Sequence, residues 1–205
     1  MWFFMAEIRL SPLQWFFSHF SHSQNIHKYF EIYSTSIGID AKMPSIYHLR
    51  RSEKELSDPD EIDRFLRKQE LFTLAMCDGE LPYLVTMDYV FDFETRCFYF
   101  HCASKGRKID ILSKNAHIWG QIVEDLGYIP GECNHGYISV HFSGEVELLV
   151  DEVEKHHALT LLIEKFEENP APAKKRFITE GALKGVEIGR IRPEGLVGKQ
   201  FIPPK

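Results

Sequence analysis

Short stretches of strand-forming residues, separated by turn residues, recur along most of this 205-residue chain. The clearest pair, residues 71–76 and 81–91, flanks the turn dipeptide Asp78-Gly79. Asp-Gly between two such stretches is a strong signal for an antiparallel hairpin. Because more short strands follow and helices are few, the pattern favours a barrel or a sandwich over a doubly wound parallel sheet.

The other elements follow from periodicity and from helix-start residues. Asp58 can cap a helix and Pro59 fits its first turn, so one helix is predicted to begin there. Residues 125–136 are rich in Gly, Pro and Asn and are predicted as a loop, and Asn169-Pro-Ala-Pro is predicted as a break. The remaining predicted elements are strands at 97–102, 117–123, 137–150, 186–192 and 196–201, and helices at 104–115 and 151–167.

Residues 1–42 differ in character from the rest of the chain. They are rich in aromatic residues, but Glu7, Arg9 and Pro12 interrupt them, so they resemble neither a signal peptide nor a transmembrane helix. We expect a disordered or weakly ordered extension here, Met43 as the natural start, and one domain over residues 43–205. The alternative is a short helix that packs on the domain through its aromatic face.

Composition narrows the function classes. A net charge of −6 and the lack of a basic tail give no support to nucleic-acid binding, and nothing indicates a membrane partner. The four cysteines form no Cys-x-x-Cys pair, so no metal site and a reducing, cytoplasmic location are expected. The pair His156-His157 is predicted on a solvated helix face. Any anionic ligand must therefore be held by a local cluster of positive charge.

Such a cluster follows the strand that ends at residues 101–103. A helix predicted to begin at Ser104 would direct backbone N–H groups at an anion, and Gly106 would let the backbone come close to it. Arg107 and Lys108 add positive charge, and arginine can bind phosphate with two hydrogen bonds. The pattern predicts a phosphate cradle. An ordinary capped helix with a solvated basic first turn is the alternative.

Several motifs in order resemble the nitroimidazole-resistance (Nim-type) flavoproteins of the pyridoxamine-phosphate-oxidase-like, FMN-binding split-barrel superfamily. The resemblance covers about residues 49–199. It is carried by Leu49-Arg-Arg, Met76-Cys-Asp-Gly-Glu-Leu-Pro-Tyr, Phe100-His-Cys-Ala-Ser-Lys-Gly-Arg-Lys and Cys133-Asn-His-Gly-Tyr-Ile-Ser-Val-His-Phe-Ser-Gly-Glu-Val.

This resemblance implies a mainly β (α+β) fold, a six-stranded antiparallel Greek-key split β-barrel with a few peripheral helices. It also implies a homodimer with FMN at the subunit interface and the FMN phosphate near Ser104, Arg107 and Lys108. The implied cofactor-binding residues are Val85, Thr86, Met87, Phe100, His101, Cys102, Ala103, Ser104, Gly106, Arg107 and Lys108, with Gln121 and Glu124 on the following strand.

The implied function is an FMN-dependent oxidoreductase that reduces a small acceptor such as a nitroaromatic. His101 is the candidate catalytic residue for proton transfer, and a hydrogen-bonded core histidine is the alternative. Ile138 and the long loop at 125–134 depart from the family pattern on the substrate side.

Two other functions stay open. A pyridoxamine or pyridoxine phosphate oxidase would need a second phosphate site, and Lys174-Lys175-Arg176 is the other basic cluster, predicted as a solvated loop. A carrier or sensor without turnover could bind flavin, or haem through His101.

Overall fold

Nine strands and five α-helices make up the part of the chain that the structure describes, residues 49–203 without the side chain of Glu180. The structure is a computed structural model, and the described residues belong to one unit, Ile46–Lys205. The predictions for residues 1–42 and for Met43 therefore lie outside the described residues.

The elements are numbered in chain order. They are β1 (Glu55–Leu56), α1 (Pro59–Lys68), β2 (Leu71–Asp78), β3 (Leu81–Asp88), β4 (Val90–Asp92), β5 (Cys97–Cys102), α2 (Arg107–Leu112), β6 (His117–Ile129), β7 (Asn134–Leu148), α3 (Glu152–Phe166), α4 (Pro170–Phe177), α5 (Glu180–Lys184), β8 (Glu187–Ile191) and β9 (Gly195–Phe201).

All strand pairs are antiparallel, in the order β3-β2-β6-β7-β8-β5-β4. The long strand β7 curves between two partners: residues 137–143 pair with β9, and residues 146–148 pair with β8. The sheet therefore wraps on itself without closing, and the mainly β, split-barrel prediction is confirmed. The described sheet has nine strands where six were expected, and two of them, β1 and β4, are only two and three residues long.

Aromatic side chains fill the inside of the curved sheet. The rings of Phe98 and Phe142 stack with their centroids 4.3 Å apart, and those of Phe72 and Tyr89 stack at 5.3 Å. A glycine on a neighbouring strand makes room for a ring: a Cβ at Gly189 would lie 2.2 Å from the ring of Phe100. The core thus depends on close ring-to-backbone packing.

The outer face of β5 carries a second layer. Cys97 and Tyr99 are buried there against α3, whose Ala158 and Leu162 are also buried. Because the inner face of β5 lies in the aromatic core, this strand is apolar on both faces, as its sequence predicts. Within the described residues, no helix combines the length and the apolar run that crossing a bilayer requires.

One loop prediction was wrong, and one predicted break is shorter than expected. Residues 125–136 continue β6 and β7 as a hairpin, with an irregularity in register between Asp125 and Gly127, and only residues 130–133 connect the strands. Backbone hydrogen bonds between β6 and β7 continue past this irregularity because Gly127 adopts a φ of 92°, which accommodates a β-bulge. The predicted break at Asn169-Pro-Ala-Pro does separate α3, which ends at Phe166, from α4, but α4 begins within it, since Pro170 occupies the first turn, where its missing N–H costs nothing.

Candidate functional site

The junction between β5 and α2 is an exposed loop, residues 103–106. The helix begins at Arg107, three residues later than predicted, because Gly106 is the N-cap and has a φ of 128° that other residues rarely adopt. Ser104 therefore does not cap the helix, and its side chain is exposed together with that of Ala103. A Cβ at Gly106 would meet no atom within 4 Å, so the backbone there faces open space.

The basic side chains of this junction reach towards β3. The Arg107 guanidinium carbon lies 4.9 Å from the centre of the Tyr83 ring. The Lys108 Nζ donates to Met87 Sδ at 2.8 Å. Among residues 49–203, no carboxylate forms an ion pair with Lys105, Arg107 or Lys108. The junction is therefore locally positive in an acidic protein and has charge available for an anion.

Side chains alternate between the two faces of β3, so the residues predicted to lie along the flavin fall on opposite faces. Val85 and Met87 are half-buried and pack on the inner core, whereas Thr86 is exposed on the outer face. The hydroxyl oxygens of Thr86 and Thr73 lie 2.8 Å apart across the strands β3 and β2. The structure therefore brings Met87 to Lys108 but directs Thr86 away from it.

The same alternation separates the residues at the end of β5. Phe100 is fully buried in the inner core, so only its backbone could contact a ligand. Cys102 is half-buried on that side, and burial raises the pKa of its thiol, with Lys108 opposing this effect and Glu187 adding to it. At neutral pH Cys102 is thus a protonated, packing side chain.

His101 projects from the other face of β5, towards the helical layer. It lines a cavity of about 390 Å³ together with Asp88 and apolar residues of α3. Burial lowers the pKa of His101 below its usual value; the Asp88 carboxylate opposes this shift and the Lys108 ammonium adds to it. A neutral imidazole at this position can donate one hydrogen bond and accept another.

Gln121 and Glu124 do not share a face. They are three residues apart on β6, so Gln121 is exposed on the outer side while Glu124 points inward. Glu124 binds the side chains of Lys68, through a short ion pair, and Gln69, at 2.9 Å. This carboxylate is therefore committed to the end of α1.

Sequence reasoning missed two contacts that position the site. Neither the Lys108–Met87 pair nor the approach of Asp88 to the His101 cavity has a local signal, because each joins distant segments. His157, predicted on a solvated helix face, is exposed there, and its Nε2 also bonds to the buried Asp92 Oδ2 at 3.0 Å. In the described part of the chain, no group of three or more His, Cys, Asp or Glu residues could hold a metal ion.

The open, curved antiparallel sheet with an exposed basic junction after β5 defines a split-barrel domain. The chain belongs to the pyridoxamine 5'-phosphate oxidase family, whose model matches residues 58–200. No curated protein matches the chain in sequence.

Three solved structures illustrate the likeness in fold. A candidate 5-nitroimidazole antibiotic resistance protein from Bacteroides thetaiotaomicron is 22% identical, with a TM-score of 0.60 over 72% of this chain and 86% of that one. A flavocytochrome from Azotobacter vinelandii is 16% identical, with a TM-score of 0.66 over 81% and 78%. An FAD-binding protein from Mesorhizobium loti is 20% identical, with a TM-score of 0.51 over 70% and 95%. At these identities the likeness establishes the fold alone.

Proposed function

We propose that this protein binds FMN and is a flavin-dependent oxidoreductase. The observation that carries the proposal is the exposed basic junction after β5, where Arg107 and Lys108 have no carboxylate partner within the described residues. Family membership adds support, because the sequence motif at this junction is also the part that resembles flavoproteins.

The residues present fit a flavin phosphate. Arg107 can supply two hydrogen bonds, Lys108 a point charge and Ser104 a hydroxyl, and all three belong to one short segment. The open space at Gly106 leaves the backbone accessible to phosphate oxygens. We infer that these groups hold the phosphate and that Val85 and Met87 of β3 lie along the rest of the cofactor.

A bound flavin would supply the electron transfer, and the protein would supply binding, orientation and proton handling. His101 is our candidate for the proton-handling group, because burial lowers the pKa of its imidazole and it lies on β5 just before the basic junction. Glu124 is left out of the proposed site, since Lys68 and Gln69 engage its carboxylate. We propose a small nitroaromatic compound as the acceptor, on the basis of the sequence resemblance to Nim-type flavoproteins.

We also propose that the protein is a homodimer. Four large apolar side chains are exposed on the outer face of strands β2, β3 and β6, namely Leu71, Leu84, Trp119 and Val123. The polar row Thr86, Thr73 and Gln121 crosses this face between them. Exposed apolar side chains on both sides of that row favour a protein partner. A second copy would cover this face and place the two β5–α2 junctions near a shared interface.

A pyridoxamine or pyridoxine phosphate oxidase is less favoured. The second basic cluster, Lys174-Lys175-Arg176, lies on α4, where Lys174 forms a short ion pair with Glu164. That lysine is therefore already engaged, and a second phosphate site lacks one of its expected cations.

The test is identification of the cofactor that co-purifies with the protein. We expect a visible flavin absorbance band and release of FMN on denaturation, identified by its mass. Release of FAD would contradict the FMN assignment, and a haem Soret band without flavin would overturn the proposal. Substrate-dependent reoxidation of the reduced protein by a nitroaromatic then tests turnover, and a carrier or sensor would show none.

A further inference from the structure

A second site is suggested by the cavity on the outer side of β5. It has a volume of about 390 Å³, within the usual range for small-molecule pockets. Its walls are mostly apolar and come from α3, α4 and α5, with Leu159, Leu162 and Ile163 on one side and Ala182 on another. Of the residues assigned to the flavin, only His101 borders it.

The polar groups of this cavity are all neutral or negative. They are Asp88, Glu167 and His101, whose pKa is lowered by burial, and no Lys or Arg lines the cavity in the described part of the chain. The carboxylates of Asp88 and Glu167 have no hydrogen-bond or ion-pair partner among residues 49–203. Asp88 and Glu167 are exposed residues that line an apolar cavity, and their two negative charges favour a positively charged ligand there.

The nearest cations are held by other partners. Lys165 donates to the Gln69 carbonyl at 2.6 Å and lies 3.9 Å from the centre of the Tyr89 ring. Lys108 donates to Met87 Sδ. Neither side chain is within ion-pair distance of Asp88, although the Asp88 carboxylate raises the pKa of Lys165, so no direct ion pair competes with a ligand for it.

Two aromatic rings also border the cavity and already attract cations. The Lys165 Nζ lies 5.6 Å from the centre of the Phe166 ring, and the Arg176 guanidinium carbon lies 4.9 Å from that of Phe177. Aromatic faces beside carboxylates are the usual surroundings of a bound organic ammonium group.

We propose that this cavity binds a small organic cation, an apolar or aromatic body with one ammonium group and no phosphate. The apolar walls of α3 accommodate the body, and Asp88 with Glu167 attracts the charge. A phosphate or carboxylate ligand is disfavoured, because Asp88 and Glu167 line the cavity and no described Lys or Arg does. The proposal concerns binding and does not require that flavin be present.

The experiment compares two probes that share a phenylethyl body and differ in charge, 2-phenylethylamine and 3-phenylpropionate, on the full-length protein by titration calorimetry at pH 7. We expect the amine to bind and the acid not to bind. Asp88→Asn should weaken amine binding roughly tenfold or more, the effect of losing a charged hydrogen bond. Glu132→Gln, an exposed loop carboxylate away from the cavity, is the matched control and should bind the amine as the natural protein does.

Equal binding of amine and acid, or unchanged binding by Asp88→Asn, would overturn the proposal. Ala182→Phe gives an independent check, since it fills the cavity and should abolish amine binding while flavin retention is unchanged. If Ala182→Phe binds the amine as tightly as the natural protein does, the amine does not lie in this cavity. Both probes are titrated against the protein with and without flavin. If the protein does not retain flavin but still binds the amine, the result contradicts only the proposed function.

Discussion

The Lys108 ammonium donates to the thioether sulfur of Met87, with Nζ and Sδ 2.8 Å apart. This contact connects the first turn of α2 to the edge strand β3, although 21 residues separate the two side chains. A thioether is a weak acceptor, so the lysine can exchange it for a stronger anionic partner at little cost. The pair therefore places a cation beside the junction that is proposed to bind the flavin phosphate.

Arg107→Ala should lower the affinity for FMN by about 1–3 kcal/mol, because it removes charged hydrogen bonds to the phosphate. Arg64→Ala, an exposed arginine on α1, is the matched control and should leave affinity unchanged. Fluorescence titration of the apoprotein with FMN measures both. Equal affinity in the two variants would show that Arg107 does not bind the FMN phosphate.

The pKa of His101 should respond to its two charged neighbours in opposite directions. Burial lowers it, the Asp88 carboxylate raises it and the Lys108 ammonium lowers it. Asp88→Asn should therefore lower this pKa further, and Lys108→Gln should raise it. An NMR titration of the His101 ring protons checks both signs, and shifts in the same direction would contradict this electrostatic arrangement.

Lys165 makes stability depend on pH in the alkaline range. Burial lowers its pKa to about 8, with Glu70 and Asp88 opposing the shift, while the unfolded chain keeps the ordinary value of 10.5. Between these values the unfolded state binds more protons, so the contribution of Lys165 to stability rises with pH. The free energy of unfolding of the natural protein should therefore increase relative to Lys165→Met from about pH 8 to 10 in urea titrations.

Lys175→Met, at an exposed position on α4, controls for the loss of a lysine. The burial-raised pKa of Tyr89 keeps that residue neutral throughout this range. A constant stability difference between the natural protein and Lys165→Met would show that Lys165 is not desolvated.

Gly189→Ala should destabilise the fold by about 1–3 kcal/mol or more, as overpacking does. The added Cβ would lie 2.2 Å from the Phe100 ring, which is fully buried in the aromatic core. Gly181→Ala is the control, because no atom lies within 4 Å of its Cβ position. It should be neutral or slightly stabilising within α5. Chemical denaturation compares the two, and similar stabilities would argue against the tight glycine–ring packing.

Val123→Glu should convert the proposed dimer to a monomer. Val123 is 55% exposed on the outer face of β6, so a charge there leaves the fold of one chain intact but opposes burial in an interface. Val153→Glu, on a side chain 77% exposed in α3, is the matched control. Light scattering during gel filtration gives the mass, and a dimer that survives Val123→Glu would exclude this face.

Local signals in the sequence determined several elements correctly. The strand Cys97–Cys102 has its predicted bounds, and the Asp78-Gly79 turn, the Asp58 cap of α1 and the helix after Asp151 all form. Each depends on residues close together in the chain, whose turn, capping and strand preferences act without distant partners. The basic junction after β5 was recognisable for the same reason.

Only the tertiary structure determined which contacts the side chains of these elements make. Pairing of β6 with β7 extends the hairpin through residues that were predicted as a loop. The backbone hydrogen bonds between the two strands outweigh the local turn preferences of Gly and Asn. Burial of Phe100 and the commitment of Glu124 to Lys68 and Gln69 depend on segments far apart in the chain. The position of His101 at an apolar cavity likewise required α3 to pack on β5, a contact that no local pattern encodes.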